Sequence, residues 1–197
     1  IGHDLKTPLA ALRVRIETVD DEGERARMAA TIEDIVRTLD DILSLARVGR
    51  ASEPPERTDL AALAASIVEE FEDMGEPAVL AEGARVVAPV HVTWAKRALR
   101  NLVSNAVRYG GGAEVAVLRE GPDAVLRVTD TGPGIPDALL ATITEPFVRG
   151  EASRNRDTGG AGLGLTLARA IAEAHGGRIV LANRPGGGLS AELRLPL

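Results

Sequence analysis

Three polar, glycine-rich blocks lie in a fixed order in the second half of the chain and constrain its fold more than any other feature. They read Asn101-Leu-Val-Ser-Asn105-Ala-Val-Arg108-Tyr109, then Asp130-Thr-Gly132-Pro-Gly134, then Gly160-Ala-Gly162-Leu163-Gly164-Leu. The first block has helical periodicity, the second follows a predicted strand, and the third opens a predicted helix. This half of the chain is therefore predicted to be an α+β domain with its polar blocks at the ends of helices and strands.

Periodicity and turn residues predict the elements around these blocks. Thr58 or Asp59 caps a helix over 60–74, and Thr93 caps a helix that runs through Tyr109. The remaining predicted elements are β-like runs at 78–80 and 85–87, a hairpin of strands 114–119 and 124–129, a short helix over 137–142, a helix over 162–175, and two last strands at 178–182 and 190–195.

The first 50 residues carry two apolar stripes with the alternating spacing of three and four that marks a heptad repeat. The stripes comprise Leu5, Leu9, Leu12, Ile16 and Val19, and then Met28, Ile32, Ile35, Leu39, Ile42 and Ala46. Residues 20–23 break the pattern, so we predict an antiparallel helical hairpin. The hairpin can bury its stripes against its own second domain or by pairing with a second copy. The need to cover both stripes favours the second arrangement, a four-helix bundle that makes a homodimer through residues 1–50.

Pro54 and Pro55 end the second helix and place a linker at 51–57 between the hairpin and a domain at 58–197. The net charge of −6 argues against a nucleic-acid partner. The absence of cysteine excludes disulfides and thiolate metal sites. No apolar run approaches the roughly 18 residues that cross a bilayer. We therefore expect any membrane attachment to come only through segments upstream of residue 1.

His3 lies on the polar side of the first predicted helix. At 100° per residue it points about 160° away from the centre of the apolar stripe, so its imidazole is predicted to face solvent. Asp4 lies beside it, and Thr7 follows one turn later on nearly the same side. A neutral imidazole is a competent nucleophile near neutral pH, and an adjacent carboxylate can accept its ring proton. A lone exposed histidine is nevertheless most often an ordinary surface residue.

The three blocks carry the chemistry of a nucleotide pocket, although each alone is weak. Asn101 and Asn105 are four residues apart, so both amides face one way, and an amide oxygen suits Mg²⁺. Arg108 can offset phosphate charge. Asp130, at a strand end, can accept a hydrogen bond from an exocyclic amine such as that of adenine. The glycines at 160–164 leave backbone N–H groups at a helix start, where phosphate binds. Surface asparagines and a plain glycine turn remain alternative readings of the first two blocks.

The combination resembles a known family. His3-Asp4-Leu-Lys-Thr7-Pro8 is similar to the phosphoacceptor box of two-component sensor histidine kinases, and the three blocks resemble the N, G1 and G2 boxes of the GHKL ATPase superfamily. The resemblance covers nearly the whole chain. It implies an α+β fold: a helical hairpin that forms a dimeric four-helix bundle, followed by a GHKL-type α/β sandwich with a mixed, largely antiparallel sheet and helices on one face.

The resemblance also implies roles for individual residues. It makes His3 the phosphoacceptor, Asp4 the base or orienting group, and Thr7 the residue that supports phosphatase activity. It makes Asn105 the Mg²⁺ ligand, with Asn101 nearby, and makes Asp130 the residue that reads adenine. The other nucleotide-binding residues implied are Arg108, Tyr109, Gly132, Gly134, Arg149, Gly160, Gly162, Leu163 and Gly164.

Residues 145–150, Glu-Pro-Phe-Val-Arg-Gly, resemble the family's F box. Residues 144–160 would then form a lid over ATP, from which Arg149 could reach the γ-phosphate. Together with the histidine box, this string most resembles the osmosensor-type subgroup of membrane sensor kinases.

The implied function is an ATP- and Mg²⁺-dependent protein-histidine kinase that phosphorylates His3 and passes the phosphoryl group to an aspartate on a response regulator receiver domain. The resemblance further implies dephosphorylation through Thr7 and a location as the cytoplasmic domain of a bacterial inner-membrane sensor. Two rival readings are a degenerate kinase that acts only as a scaffold and a GHKL ATPase with a mechanical role. The intact Asp4, Asn105 and Asp130 argue against the first, and the histidine-bearing hairpin argues against the second.

Overall fold

The computed structural model describes residues 2–49, 54–148 and 162–197, and for residues 2–7 the backbone alone. In chain order the elements are α1 (Gly2–Ile16), α2 (Glu22–Leu45), β1 (Glu56–Asp59), α3 (Leu60–Asp73), β2 (Ala78–Leu80), β3 (Val87–Val90), α4 (Val92–Gly110), β4 (Ala113–Glu120), β5 (Asp123–Thr129), α5 (Asp137–Leu140), α6 (Gly164–Ala174), β6 (Arg178–Asn183) and β7 (Leu189–Pro196). None of the helices in these ranges is long and apolar enough to cross a membrane.

Helices α1 and α2 form the predicted antiparallel hairpin. Asp21 caps α2, because its carboxylate accepts a hydrogen bond of 2.8 Å from the backbone N–H of Glu24. Ile16 and Ile32 are buried between the helices. Much of the predicted apolar stripe is not covered within one chain, since Met28, Leu12, Ile35 and Ile42 are 41–47% exposed. A single hairpin therefore presents a band of apolar surface.

The larger sheet has the strand order β2-β4-β5-β7-β6. Strands β2 and β4 are parallel, and every other pair is antiparallel, so the predicted mixed, largely antiparallel sheet is confirmed. Helices α3, α4 and α6 cover one face. The core between these layers is built from aliphatic side chains, such as Leu99, Leu126, Leu167 and Leu193, each of which is fully buried. This packing fixes α4 and α6, which carry two of the three polar blocks.

The opposite face of the sheet carries a cross-strand network of charged residues. Arg127 donates to Glu120 and Glu192, in both cases at 2.7 Å, and Arg194 donates to the same two carboxylates at 2.6 and 2.7 Å. Although burial raises the pKa of Glu192, the hydrogen bonds from both arginines hold that pKa below its ordinary value. The charges of this face therefore neutralise one another.

Several local predictions were wrong in detail. The β-like run at 85–87 is instead strand β3, which starts at Val87 and pairs with β1 in a separate two-stranded sheet. Strand β1 begins at Glu56, so Glu56 and Arg57 of the predicted linker belong to this small sheet. The cap of α4 is His91, not Thr93. The Asp59 cap of α3 is confirmed, because its carboxylate accepts from the backbone N–H groups of Ala61 and Ala62.

His175 joins the start of α4 to the end of α6. Its Nε2 accepts a 2.9 Å hydrogen bond from the backbone N–H of His91, and its Nδ1 lies 2.7 Å from the carbonyl oxygen of Ile171. Because one nitrogen must accept and the other must donate, the ring is neutral with its proton on Nδ1. The indole of Trp94 packs against its edge at 6.2 Å between ring centroids.

We expect the stability of the fold to fall as the pH drops below 6.5. Burial lowers the pKa of His175 from its ordinary value of 6.5. In that range the unfolded chain binds a proton that the folded chain does not, so the free energy of unfolding decreases with falling pH. Urea unfolding between pH 7.5 and 5.0 should show a smaller decrease in the free energy of unfolding for His175→Asn than for the native chain. Equal decreases would show that the His175 ring does not contribute to the pH dependence of stability.

Candidate functional site

Helix α4, the turn after β5, the start of α6 and helix α2 surround a cavity of about 690 Å³. The structure brings all three polar blocks to it. The lining residues that the sequence singled out are Asn101, Asn105, Arg108, Tyr109, Asp130, Gly134, Gly162, Leu163 and Gly164. Its floor includes apolar side chains from α4 and the sheet, such as Leu102, Val128 and Ala191. A concave site with an apolar floor and a few convergent polar groups is typical of small-molecule binding.

Helix α4 presents its two asparagines to the cavity because its apolar residues, including Leu99, Leu102 and Val103, are buried in the core. The side-chain nitrogen Nδ2 of Asn101 is buried, and among the described residues it has no hydrogen-bond partner. An unsatisfied buried donor is costly, so this amide is placed for a ligand acceptor. At the end of the helix, the Arg108 guanidinium lies 5.8 Å from the centre of the Tyr109 ring.

Backbone N–H groups from two separate segments hold the Asp130 carboxylate. Its Oδ1 accepts hydrogen bonds from the N–H groups of Gly132, at 2.9 Å, and Leu189, at 3.1 Å. Arg184 donates to its carbonyl oxygen at 2.6 Å. Within the described part of the chain, no hydrogen bond is made by Oδ2. One carboxylate oxygen thus fixes the side chain, and the other remains for a donor in the cavity.

Two glycines that the sequence interpretation missed make room for Asp130. A Cβ atom at Gly110 would collide with the Asp130 side chain, with Oδ1 2.7 Å away. A Cβ atom at Gly188 would collide with the Asp130 carbonyl oxygen, and Gly188 has φ of 95°. Gly132 was predicted, and a Cβ atom there would lie 2.7 Å from the Tyr109 carbonyl oxygen. Three backbone segments therefore come together closely around Asp130, and a glycine in each makes this possible.

Asn183 clamps the loop that follows the second block, and it too was missed. Its Oδ1 accepts from the Ile135 N–H at 2.9 Å, and its Nδ2 donates to the Ile135 carbonyl at 2.7 Å and to Asp137 Oδ1 at 3.0 Å. The side chain sits at the end of β6, and nothing in its local sequence indicates this long-range contact. Both Ile135 and Asn183 line the cavity.

Asn183→Ala is expected to lower the free energy of unfolding by about 1–2 kcal/mol, because it leaves the Ile135 backbone groups without their partner. Asn183→Asp is the companion variant, since it keeps the acceptor for the Ile135 N–H but puts a charged oxygen where Nδ2 donated to the Ile135 carbonyl and to Asp137. Because that oxygen faces a carbonyl and a carboxylate, chemical denaturation should find the aspartate variant no more stable than the alanine variant. An alanine variant as stable as the native chain would mean that solvent replaces the clamp without cost.

The third block opens α6. Gly162 has φ of 70°, Leu163 is buried, and the helix starts at Gly164 without a hydrogen bond from a capping side chain. The first N–H groups of a helix lack partners within it, so this end of the cavity attracts anions. A Cβ atom at Gly164 would lie 3.6 Å from Cγ of Asn101, which shows how closely α6 begins against α4.

The donor set fits a nucleotide with its Mg²⁺. The described residues contain no group of three or more His, Cys, Asp and Glu side chains that could hold a metal by themselves. Mg²⁺ bound to a polyphosphate needs only one or two protein oxygens, and the Asn105 amide oxygen in the cavity lining could be one of them. The unsatisfied Asn101 amide and the open start of α6 make one end of the cavity suited to anions, which we call the anion-binding end, and Asp130 Oδ2 makes the other end suited to a hydrogen-bond donor.

Helix α2 forms an unforeseen wall of this cavity through Asp34, Arg37, Thr38 and Asp41. Asp41 is only 8% exposed and pairs with Arg97 of α4 at 3.2 Å. Burial raises the pKa of the Asp41 carboxyl, and the hydrogen bond from Arg97 offsets only part of that rise. A buried pair of this kind adds little net stability, but it fixes where α2 sits against α4.

Five of the predicted site residues fall outside the side chains that the structure describes. The backbone of His3, Asp4 and Thr7 is helical within α1, as predicted, and their side chains lie outside the described part of the chain. Arg149 and Gly160 lie outside the described residues altogether. Just before them, Phe147 is 67% exposed and has φ of 64°, an unusual backbone conformation for a residue with a side chain.

Comparison with known proteins places the cavity in a family. Residues 90–197, which hold all three blocks, match the family described as histidine kinase-, DNA gyrase B-, and HSP90-like ATPase. Over its whole length the chain is 37% identical to the sensor histidine kinase GtrS of Pseudomonas aeruginosa, and it covers 40% of that protein. The chain thus spans less than half of this curated relative.

Solved structures agree with the observed architecture. Full-length ShkA in complex with AMPPNP matches all of this chain with a TM-score of 0.70, at 21% identity and over 45% of its own length. The histidine kinase domain of the Escherichia coli osmosensor EnvZ matches 75% of this chain and 91% of its own length, with a TM-score of 0.55 and 32% identity.

Proposed function

Because the chain belongs to the family of histidine kinase-, DNA gyrase B-, and HSP90-like ATPases, we propose that it is the catalytic core of a two-component sensor histidine kinase. ATP binds in the cavity between α4 and α6, and its γ-phosphoryl group moves to the imidazole of His3. The phosphoryl group then passes to an aspartate on the receiver domain of a response regulator. The observation that carries this proposal is the convergence of Asn101, Asp130 and the open end of α6 on one cavity.

The proposed chemistry assigns each group a task. A nitrogen of the His3 imidazole forms a bond to the γ-phosphorus while the bond to the bridging oxygen breaks, and ADP leaves. Asp4 accepts the ring proton, and Thr7 supports the later hydrolysis of the phosphoryl group from the regulator. Asn105 would hold Mg²⁺, which would offset the charge of the phosphates. Arg149 stabilises the transferred group from the lid.

The remaining residues bind and orient the nucleotide. Asp130 accepts a hydrogen bond from the adenine amine through Oδ2, the oxygen to which the surrounding backbone donates no hydrogen bond. The backbone at Gly160, Gly162, Leu163 and Gly164 receives the phosphates. Gly132 and Gly134 shape the turn beside the base, and Arg108 and Tyr109 close the cavity at the end of α4.

We also propose that residues 1–50 form the dimerisation and phosphoacceptor domain, and that the ATP-binding domain, expected from the sequence at 58–197, starts with β1 at Glu56, which shortens the linker to 51–55. The homodimer forms as a four-helix bundle, because the apolar band along the hairpin is otherwise exposed. We place this core in the bacterial cytoplasm, attached to the inner membrane through segments upstream of residue 1, with no role for nucleic acid.

Ile35→Glu is expected to convert the dimer to a monomer, because it places a charge in the apolar band of each hairpin. Ile35 is 43% exposed in one chain, so the substitution leaves the fold of that chain intact. Arg27→Glu, on an exposed part of the same helix, is the control. Light scattering should report a monomer only for Ile35→Glu. A native chain that is already monomeric at high concentration would contradict the bundle.

The kinase proposal is tested by incubating the native chain and His3→Gln with γ-labelled ATP and Mg²⁺. Acid-labile, base-stable label on the native chain alone would support it. Nucleotide binding without label on either chain would favour the scaffold alternative. Equal label on both chains would show that another residue is the phosphoacceptor.

A further inference from the structure

Helix α2 presents a single face to the nucleotide cavity. Asp34, Arg37, Thr38 and Asp41 are spaced by three, one and three residues, so they lie on one side of the helix, and all four line the cavity. The sequence interpretation left these residues unassigned, and they lie outside residues 90–197, the part that matches the ATPase family. The hairpin thus contributes a wall to a cavity that otherwise belongs to the second domain.

The wall lies at the anion-binding end of the cavity. Asp41 pairs with Arg97, which is one helical turn before Asn101 on α4. Asn101 in turn lies against Gly164, where α6 begins. Helix α2 therefore meets α4 one turn before the unsatisfied Asn101 amide, and it also packs against α6, the helix whose first N–H groups are open.

Arg37 is one of two basic residues among the described residues that line the cavity, and the other is Arg108. Its Nη1 lies 3.4 Å from Oδ1 of Asp34, and the arginine side chain is 56% exposed. An ion pair at this distance and exposure is weak, so the guanidinium can exchange its carboxylate for a stronger partner. Phosphate is such a partner, because guanidinium binds it through two parallel hydrogen bonds.

We propose that Arg37 is a phosphate-binding residue that helix α2 contributes to the nucleotide cavity of its own chain. The Asp41–Arg97 pair positions it by holding α2 against α4. This inference rests on the proposed function, in that the phosphates belong to ATP. Its consequence is that nucleotide binding ties the phosphoacceptor hairpin to the ATP-binding domain through a direct contact.

The first test compares binding of AMPPNP and of AMP, in the presence of Mg²⁺, to the native chain, Arg37→Gln and Arg27→Gln. We expect Arg37→Gln to bind AMPPNP about tenfold more weakly and AMP almost unchanged, because only the outer phosphates are contacted. Arg27 is exposed on the same helix and does not line the cavity, so its variant should match the native chain. Equal AMPPNP affinities for the two variants, or an equal loss on AMP and AMPPNP, would overturn the proposal.

The second test measures whether Asp41 acts through Arg37. Asp41→Asn should weaken AMPPNP binding in the native background and have little further effect in Arg37→Gln, because the position of α2 matters only if Arg37 is there. If the losses of AMPPNP affinity from Asp41→Asn and Arg37→Gln simply add in the double variant, Asp41 does not act by positioning Arg37. Thermal unfolding of each variant shows whether the fold is retained.

The two proposals can fail separately. If the native chain binds AMPPNP through Arg37 but His3 never acquires label from ATP, the kinase proposal is contradicted and the Arg37 contact is supported. A chain that labels His3 and shows no effect of Arg37→Gln would leave the kinase proposal standing and overturn the contact. A native chain that binds neither nucleotide would overturn both.

Discussion

Asp130→Asn is expected to weaken ATP binding about 100-fold while the fold stays nearly as stable as that of the native chain. The amide oxygen can still accept from Gly132 and Leu189, so the backbone around the residue keeps its partners. The amide nitrogen then takes the place of Oδ2 and turns an acceptor into a donor. A donor facing the adenine amine would leave both groups unpaired in the cavity, which is more costly than the loss of one hydrogen bond.

Asp130→Ala is expected to lose both ATP binding and stability, and its comparison with Asp130→Asn separates the two effects. It removes both acceptors, so the two backbone N–H groups lose their partner, and the free energy of unfolding should fall by about 2–3 kcal/mol in addition to the loss of ATP affinity. Calorimetric titration with AMPPNP and urea unfolding measure the two effects on the same samples. An asparagine variant that binds AMPPNP as the native chain does would show that Asp130 is only a structural residue of this turn.

The parts of the fold that the sequence predicted well are those with strong local signals. Heptad spacing located α1 and α2, and two alternating runs around a Gly-Pro turn located the β4–β5 hairpin to within one residue. Strand β1 has no such signal, because Glu-Arg-Thr-Asp is charged and only its pairing with β3 makes it a strand. The start of α4 was misplaced for a related reason, since the His91 N–H is satisfied by His175, 84 residues away.

In the candidate site, too, the residues with a local sequence signal were predicted and those that act through long-range contacts were not. The residue types in the three blocks indicate the chemistry, and their spacing on α4 and around α6 places them correctly. The residues that support Asp130 were missed because they act through space. Gly110 ends a helix and Gly188 lies in a glycine-rich turn, so neither has a local signal of its closeness to Asp130. Helix α2 was missed because charged residues opposite an apolar stripe indicate a solvated face unless another domain packs there.

Gly188→Ala is expected to lower the free energy of unfolding by about 3 kcal/mol or more and to weaken ATP binding at the same time. The added Cβ would meet the carbonyl group of Asp130 and lie 3.2 Å from Cα of Thr131, and these are backbone atoms that cannot rotate away. The loop must shift, and Asp130 must shift with it. Gly186→Ala is the matched control, because Gly186 has a similar φ of 91° in the same turn with nothing within 4 Å of its Cβ position. It should cost only the backbone strain of a left-handed residue, about 1 kcal/mol, and leave ATP affinity unchanged. Urea unfolding and AMPPNP titration of both variants would decide the matter, and equal losses would mean that strain, not the close approach to Asp130, explains the glycine at 188.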